Sequence, residues 1–493
     1  MNKRINYNNG YYNGSVNFSG EEDGYGVFVW NDGDRYEGYW KKGDRTGNGT
    51  YYWKSGAKYV GGFKNNKLHG RGRYTYVNDG YYEGDYYEDK KHGRGVRVWG
   101  DGDRYEGDYA NDEKHGYGKY TFHDGGYYEG EFFEGDFHGK GKRVFKNGDY
   151  YVGQMSHDKM HGKGKYVFKD GGSYEGDFYE GDFHGFGTRT YSNGNYYVGQ
   201  MSHDKIHGSG KYTFDDGGYY EGELYEGKFY GRGNRVYKNG DTYVGYWKDD
   251  KMHGSGKYTF HDGGSYEGEF FEGDFHGFGK RIFKSGDYYI GEMNHDKMHG
   301  NGKYTFKDGG FYEGDFYEGD FHGKGTRQFS NGDTYFGEMS HDKMHGEGKY
   351  TYASGGSYEG SFTEGHFEGK GRRNWPDGDY YVGTWHDGKM HGYGRYVFHS
   401  GGYYEGDLFE GDFHGQGTRL YQDGDFYEGT MVHDHPCGKG VIKRPNGVVL
   451  EGDWTDATNA ENVTFRYEGE IDYGYVVEGD FISSSDPSGN KQI

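Results

Sequence analysis

Residues 151–173 read YVGQMSHDKMHGKGKYVFKDGGS, and residues 174–196 read YEGDFYEGDFHGFGTRTYSNGNY. The two stretches are 23-residue versions of one pattern, and they differ in their loops and second strands. The tyrosine that opens each unit returns every 23 residues from Tyr36 to Tyr427, and Leu450 then takes its position. A fixed period of this length is typical of a repeat architecture, so this unit predicts the fold of most of the chain.

The composition alone would favour disorder. Hydrophobic residues make up 31% of the 493 residues, glycine accounts for 101 of them, and the mean hydropathy is −1.20. The periodicity outweighs this signal, because 59 Tyr, 34 Phe and 8 Trp supply large apolar side chains at fixed positions of the repeat. We therefore expect the chain to fold without a globular centre.

The net charge, the cysteine content and the absence of long apolar runs limit the partners, disulfides and location that can be expected. The formal net charge of −22 argues against a nucleic-acid partner, because phosphate binding needs a basic surface. Cys437 is the single cysteine, so no internal disulfide is expected. The first residues contain no apolar leader, and no apolar run is long enough to span a membrane, so the predicted location is the cytoplasm.

The repeat divides the chain into three parts. Residues 1–35 are interpreted as a lead and an irregular capping repeat, in which Tyr12 opens a unit one residue too long. Residues 36–449 are eighteen units of 23 residues. Residues 450–493 lose the spacing and are interpreted as a degenerate C-terminal cap with a polar tail from Ser483 onward.

Each unit predicts two strands when its opening tyrosine is numbered place 1. Places 1–5 and 10–18 alternate in polarity as strands do, with a tight acidic turn between them and an Asn-Gly or similar turn before the next unit. The predicted fold is an all-β, elongated and twisted single-layer array of antiparallel β-hairpins. Every hairpin is joined to the next by another hairpin.

The glycines at places 3, 12 and 14 suggest a register. We expect place 5 to face place 10, place 3 to face place 12, place 1 to face place 14, and place 18 to face the next tyrosine. Tyr174 would then lie over Gly187, and Phe178 beside Phe183. Places 1, 5, 10, 16 and 18 would form one aromatic face that stays partly exposed, and places 2, 4, 15 and 17 a charged, solvated face.

The motif Tyr-Glu-Gly-x-aromatic, followed by His-Gly-x-Gly and Asn-Gly-Asp or Asp-Gly-Gly, resembles the MORN repeat (membrane occupation and recognition nexus). Proteins of that family are elongated, twisted hairpin sheets, often paired. They serve as scaffolds in protist cytoskeletons, in radial spoke heads of cilia and at membrane junctions. Some clamp a partner helix along the aromatic face. Because residues 450–493 are too few for a catalytic domain, we expect an array without enzymatic activity.

A second-order pattern gives a true period of two units. From Arg97 to Arg419, place 16 alternates strictly between arginine and tyrosine. The arginine stems either cover rings through cation–π contacts, or they anchor acidic side chains of a bound partner about every 19 Å. The predicted partner-binding residues on the aromatic face are Arg143, Tyr174, Phe178, Phe183, Arg189, Tyr212, Arg235, Arg281 and Arg327.

No catalytic, cofactor-binding or metal-binding residue is predicted. His157 and His161 of the HDKMH motif flank a hairpin turn, and the histidine at place 11 is expected to bond the turn backbone or to stack on its neighbour. The cluster of His433, His435 and Cys437 is interpreted as a degenerating cap, and a metal role for it stays open. Acidic pairs recur in unit after unit, as solvated loops do.

Two functional classes remain. The first is a cytoskeletal scaffold, such as one in a cilium, that binds a helical or extended protein segment along the aromatic face; a second copy of the chain is an alternative occupant. The second is a peripheral module that binds anionic phospholipid, for which the net charge of −22 is unfavourable. Three basic pairs would supply its local track: Lys142-Arg143, Lys280-Arg281 and Arg372-Arg373.

Overall fold

A computed structural model describes residues 2–485 and 490–491 of the chain, and the described residues form strands and turns with no helix. Two compact units are present. One runs to Gly240 and includes Tyr246–Asp250, and the other comprises Asp241–Gly245 and the chain from Lys251 onward. Of the predicted polar tail, residues 486–489, 492 and 493 lie outside the described residues, whereas Ser483 is buried at the end of a strand.

The strands of the first unit are β1 (Asn2–Tyr7), β2 (Gly10–Val16), β3 (Glu22–Trp30), β4 (Arg35–Lys41), β5 (Asp44–Tyr52), β6 (Lys58–Lys64), β7 (Lys67–Thr75), β8 (Tyr81–Tyr87), β9 (Lys90–Val98), β10 (Arg104–Ala110), β11 (Glu113–Thr121), β12 (Tyr127–Phe133), β13 (Asp136–Val144), β14 (Tyr150–Ser156), β15 (Lys159–Val167), β16 (Ser173–Tyr179), β17 (Asp182–Thr190), β18 (Tyr196–Ser202), β19 (Lys205–Thr213), β20 (Tyr219–Tyr225) and β21 (Lys228–Val236). Residues of β22 (Thr242–Lys248) belong to both units.

The strands of the second unit are β23 (Lys251–Thr259), β24 (Ser265–Phe271), β25 (Asp274–Ile282), β26 (Tyr288–Asn294), β27 (Lys297–Thr305), β28 (Phe311–Tyr317), β29 (Asp320–Gln328), β30 (Thr334–Ser340), β31 (Lys343–Thr351), β32 (Ser357–Thr363), β33 (His366–Asn374), β34 (Tyr380–His386), β35 (Lys389–Val397), β36 (Tyr403–Phe409), β37 (Asp412–Leu420), β38 (Phe426–Val432), β39 (His435–Lys443), β40 (Val449–Trp454), β41 (Ala460–Tyr467), β42 (Glu470–Val477), β43 (Asp480–Ser483) and β44 (Asn490–Lys491).

Within each unit, every strand pairs antiparallel with the strands before and after it in sequence. The tight turns between paired strands rely on residues in the left-handed region, such as Glu180 at φ 54° and Gly181 at φ 102°. The predicted all-β array of antiparallel β-hairpins is therefore confirmed.

The predicted register is right at one end of the hairpin and wrong at the other. Phe178 faces Phe183 as expected, but Gly176 faces Gly187 at place 14, and Tyr174 faces Arg189 at place 16. The cause is a β-bulge beside Gly176, where Gly185 adopts a left-handed φ of 58° and shifts the pairing by two residues. Glycine at place 12 is needed for this bulge rather than for pairing with place 3.

The predicted pairing between units is also wrong by two residues. Tyr197 faces Arg189 at place 16 and not Tyr191 at place 18. Tyr191 belongs to the connecting turn, because its carbonyl accepts a hydrogen bond from the N–H of Gly194 at 3.1 Å and its own N–H donates to Asn195 O at 2.9 Å. Strand β17 therefore ends at Thr190.

The opening tyrosines form the core of each sheet. A Cβ atom built on Gly187 would lie 2.5 Å from Cε2 and Oη of Tyr174, which confirms the predicted placement of this ring over the glycine. The Tyr174 hydroxyl donates to the carbonyls of Asp177 and His184, both at 2.9 Å. These partly buried carbonyls are thereby satisfied, and the hydroxyl is held against the backbone of both strands.

The expectation that places 1 and 5 stay partly exposed is wrong. Tyr174 is 0% exposed and Phe178 is 2% exposed. Phe178 packs edge-on against two opening tyrosines, with ring centroids 5.2 Å from Tyr174 and 4.8 Å from Tyr151. Because each place-5 side chain covers its own tyrosine and the preceding one, a row of rings seals itself without a second layer.

Candidate functional site

Within each of the two compact units, the side chains at places 16 and 18 form a row of contacting groups on the aromatic face, which we call the Arg–ring column. In the first unit it comprises Tyr76, Arg97, Trp99, Tyr120, Phe122, Arg143, Phe145, Tyr166, Phe168, Arg189, Tyr191, Tyr212, Phe214, Arg235 and Tyr237. In the second unit it comprises Tyr258, Phe260, Arg281, Phe283, Tyr304, Phe306, Arg327, Phe329, Tyr350, Tyr352, Arg373, Trp375, Tyr396, Phe398, Arg419 and Tyr421.

Each guanidinium in the column lies between rings of two successive connecting turns. The guanidinium carbon of Arg189 is 3.9 Å from the ring centroid of Phe168 and 5.2 Å from that of Tyr191. The ring centroid of Tyr191 is 5.9 Å from that of Tyr212, which in turn is 4.9 Å from that of Phe214. Arg235, the next arginine of the column, follows Phe214. Cation–π contacts of this kind contribute about 0.5–2 kcal/mol each, more as the cation is desolvated.

The guanidinium groups are half-buried and incompletely hydrogen-bonded. One side-chain nitrogen of each of Arg143, Arg189, Arg281 and Arg327 is shielded from solvent and has no hydrogen-bond partner among the described residues. Burial lowers the pKa of these guanidinium groups, as it does for Arg235. A cation that is shielded from solvent and has no bonded anion favours the binding of an anion.

Beside the column in the second unit, Met252, Phe275 and Met298, all at place 10, line a trough that we call the aromatic groove. In the second unit it has a volume of about 530 Å³ and is lined by Met252, Phe260, Phe275, Arg281, Phe283 and Met298. Asp296 and Lys297 stand at its rim. The groove combines apolar and adaptable methionine side chains with one guanidinium, which suits a partner that has both apolar and acidic side chains.

The nine residues predicted to bind a partner all lie on the aromatic face. Arg143, Arg189, Tyr212, Arg235, Arg281 and Arg327 belong to the Arg–ring column and are half-buried. Phe183 lies beside the column, 5.6 Å from the guanidinium carbon of Arg189. Tyr174 and Phe178 are buried beneath Phe183, with ring centroids 4.3 and 5.5 Å from it. These two residues therefore form a floor rather than a contact surface.

The opposite, charged face alternates two kinds of cross-strand pair. Lys165 forms an ion pair with Glu175 at 3.0 Å, whereas the equivalent place-2 residue in the next unit is Val198, which faces Thr188. Exposed ion pairs of this kind are worth about 0.2–1 kcal/mol. The alternation again follows the two-unit period.

The exposed large rings at place 13 were not anticipated from the sequence. Phe186 is 58% exposed, and Tyr117, Phe278 and Tyr393 are similarly placed in other units. Places 12 and 13 are left unpaired with the preceding strand at the bulge, and place 13 pairs with place 4 of the next unit, so its side chain lies on the charged face. The residue type varies from unit to unit at this place, which is why periodicity did not single it out.

The three basic pairs do not form a track on one face. Successive residues of a strand point to opposite faces. Arg143 therefore stacks on Phe122 of the aromatic face at 3.7 Å, while the ammonium of Lys142 lies 5.2 Å from Tyr150 on the charged face.

The histidines at place 11 contact aromatic rings of neighbouring units at tilted or edge-on angles, which is close to one of the two expectations, stacking on a neighbour. His161 lies 5.5 Å from Tyr179 in the next unit, Tyr179 lies 5.7 Å from His184, and His184 lies 5.8 Å from His203. In the C-terminal cluster, Nδ1 of His433 contacts the carboxylate of Asp412 at 2.8 Å, and Cys437 is half-buried.

Two groups of potential metal ligands come together in the described part of the chain at positions that the sequence did not indicate. They are Asp101, Asp103 and His123, and Asp377, Asp379 and His399. In the first, Nδ1 of His123 is 2.9 Å from Oδ1 of Asp103, and this hydrogen bond raises the pKa of the His123 imidazole. The same oxygen accepts a hydrogen bond from the backbone N–H of His123 at 2.8 Å, so these residues stabilise the connecting turn.

A family model for the MORN repeat matches residues 18–35 and then eighteen consecutive 23-residue windows, from 36–58 to 427–449. No significant match was found among curated proteins. None of the described residues forms a helix with the length and apolar character that a membrane crossing requires.

Comparison with solved structures gives only distant likenesses. The TCP domain of SAS-4 (dCPAP) from Drosophila melanogaster, in complex with a proline-rich motif of Ana2 (dSTIL), is 15% identical, with a TM-score of 0.21 over 31% of this chain and 85% of that chain. The TCP10 domain of Danio rerio CPAP, in complex with a STIL peptide, is 12% identical, with a TM-score of 0.18 over 49% and 92%. Virginiamycin B lyase from Staphylococcus aureus is 14% identical, with a TM-score of 0.11 over 68% and 93%. TM-scores this low carry no argument about function.

Proposed function

Because this chain belongs to the MORN-repeat family, we propose that it is a non-enzymatic scaffold that docks partner proteins along its aromatic face in a cytoskeletal assembly of the cytoplasm, such as that of a cilium. The observation that carries the proposal is the aromatic groove. Its apolar lining by Met252, Phe275 and Met298 is contiguous with the Arg–ring column. Contiguous apolar surface of this kind normally marks an interface.

The repeat makes the surface suitable for a long, narrow partner. Seven of the nine residues named above are the proposed contact residues, and the other two, Tyr174 and Phe178, are their buried base. Either an extended or a helical segment could lie along such a trough, with side chains entering between successive place-10 residues. Methionines at alternate units allow the lining to adapt to different side chains.

Membrane binding is the weaker alternative. The net charge of −22 repels an anionic leaflet, and the basic pairs divide between the two faces rather than forming one patch.

The proposal is tested by site-specific photocrosslinking in the full chain. A benzoylphenylalanine is placed at Met298, in the aromatic groove, or at Lys303, on the charged face of the same strand β27. Each variant is incubated with the cytoskeletal fraction of cells that express the protein. We expect Met298 to form a discrete protein adduct and Lys303 to form none. Protein adducts from Lys303 alone would show that docking occurs on the charged face, contrary to the proposal. Lipid adducts alone would favour the membrane alternative.

A further inference from the structure

Arg97 is bonded differently from every other arginine of the Arg–ring column. Its guanidinium forms an ion pair with the carboxylate of Asp79, and Nη1 also donates to the carbonyls of Asp79 at 2.6 Å and Val98 at 2.8 Å. Only 5% of Arg97 is exposed. The hydrogen bond from the N–H of Gly100 to Oδ1 of Asp79, at 3.1 Å, together with the ion pair, holds the pKa of this carboxyl below its usual value.

The reason lies in the turn that precedes Arg97. Place 21 is Asp79 there, within Val77-Asn78-Asp79-Gly80, whereas it is glycine in the other seventeen units. Asn78 takes the left-handed conformation in this turn, with a φ of 58°, so that Asp79 does not need it. The turn also requires Gly100, because a Cβ at that position would lie 2.5 Å from the carbonyl oxygen of Asn78.

The remaining arginines of the column have aspartates in their vicinity, such as Asp296 and Asp262 near Arg281, but none of these carboxylates is in ion-pair contact. Within the part of the chain that the structure describes, no carboxylate oxygen lies within ion-pair distance, 4.0 Å, of the remaining seven guanidinium groups: Arg143, Arg189, Arg235, Arg281, Arg327, Arg373 and Arg419. They keep the ring contacts that Arg97 makes. For example, Arg373 is 3.7 Å from the Tyr352 ring, as Arg97 is 4.0 Å from that of Tyr76.

We propose that these seven guanidinium groups are docking sites for the carboxylates of an acidic partner segment, and that Asp79 fills the first site from within the chain. This inference rests on the proposed docking function and specifies the chemistry of the partner. The Asp79 carboxylate shows which group fits beside the stacked guanidinium. A carboxylate there forms charge-assisted hydrogen bonds, which are about twice as strong as neutral ones.

The spacing of the sites defines the segment. Within each of the two compact units, neighbouring arginines are four strands apart, about 19 Å at roughly 4.8 Å per strand. An extended chain covers that distance in about six residues. The partner segment therefore carries Glu or Asp at about every sixth position, with apolar residues between them to fill the aromatic groove.

The first test uses synthetic peptides and the full-length protein. A fluorescent extended peptide with three glutamates at six-residue intervals, separated by leucine and serine, is compared with a twin in which glutamine replaces each glutamate. We expect the glutamate peptide to bind about tenfold or more tightly, and its affinity to fall with salt. Equal binding of the two peptides would overturn the inference. A phosphoserine version that alone binds would also overturn it, because the sites would then select phosphate.

The second test transfers the internal carboxylate to another site. Lys307→Val, Asp308→Asn, Gly309→Asp and Ser330→Gly give Arg327 the turn that serves Arg97. A neutral twin carries Gly309→Asn in place of Gly309→Asp. We expect the aspartate version to bind fewer glutamate peptides per chain at saturation than wild type does, and the asparagine twin to retain the wild-type number.

Each outcome of the transfer has a clear meaning. A smaller number of bound peptides in both variants, or in neither, would contradict the assignment of Arg327 as a carboxylate site. Matching thermal melts of the two variants check that both fold. If Met298 crosslinks a partner but the glutamate and glutamine peptides bind equally, the docking function stands and the carboxylate inference fails. If Met298 forms no protein crosslink and the two peptides bind equally, both the docking function and the carboxylate inference fail.

Discussion

The ring of Tyr266 lies so close to Gly279 that a Cβ atom on the glycine would be 2.5 Å from both Cε2 and Oη of the tyrosine. The hydroxyl donates to the carbonyls of Glu269 at 3.0 Å and His276 at 2.9 Å, so the ring cannot tilt away without breaking these hydrogen bonds. Each regular unit repeats the close contact between its opening tyrosine and the glycine at place 14.

Gly279→Ala should destabilise the sheet locally. The backbone at Gly279 is not in the left-handed region, so the cost comes from overpacking against Tyr266, about 1–3 kcal/mol. Hydrogen exchange should accelerate in β24, β25 and β26 and stay unchanged in distant strands, because repeat arrays are stabilised by neighbours. Lys280→Ala, on the charged face, is the control and should change little. Equal effects of the two substitutions would contradict the packing argument.

Truncation of two phenylalanines eight residues apart should change the free energy of unfolding by very different amounts. Phe178, 2% exposed, packs between two tyrosines, and Phe178→Ala should cost about 3–5 kcal/mol. Phe186 is exposed in the bulge, and Phe186→Ala should change the free energy of unfolding by about 0.5 kcal/mol or less. Chemical denaturation monitored by circular dichroism measures both. A large loss for Phe186→Ala would show that its ring is covered in solution.

Alkali should unfold the chain over a defined range. Burial raises the pKa of Tyr266, Tyr174 and Tyr427 to about 12. The fold therefore favours the neutral phenol, and this stabilisation is fully present below the unfolded pKa of about 10 and is lost as pH rises through about 12. Circular dichroism and tyrosinate absorbance should change together in this range. Complete ionisation of tyrosine with an unchanged dichroism spectrum would be inconsistent with it.

Removing one complete two-unit repeat should leave a folded protein. Deletion of residues 151–196 joins Tyr150 to Tyr197, which restores the same local sequence and keeps the alternation of arginine and tyrosine at place 16. The shorter chain should stay monodisperse and keep its strand content, as measured by size exclusion and circular dichroism. Deletion of residues 151–180 instead joins Tyr150 to Gly181 and breaks a hairpin, so it should aggregate. The reverse result would contradict the repeat boundaries.

Much of the fold could be read from local pattern. The strands, the turn positions, the contact of Tyr174 with Gly187 and the pairing of Phe178 with Phe183 all follow from alternation and a constant spacing. The pairing of Tyr174 with Arg189 does not. Gly185 can be extended or left-handed at little cost, and only the hydrogen bonds to both neighbouring strands decide which conformation it takes.

The candidate site was predicted in part. The sequence placed the arginines of place 16 and the rings of place 18 on one face, because their spacing is even. It did not indicate that Tyr174 and Phe178 are sealed, because their cover comes from neighbouring units. It also did not distinguish Arg97 from the other arginines, since the ion pair with Asp79 joins residues of two different units.

The sequence by itself determined the 23-residue period, the two strands per unit and the two-unit alternation at place 16, because these are properties of consecutive residues. Only the tertiary structure decided the bulge register, the burial of the opening tyrosines and the state of each guanidinium. Those depend on side chains and backbone groups that different strands bring together, and a glycine or an arginine is compatible with more than one such arrangement until its neighbours are in place.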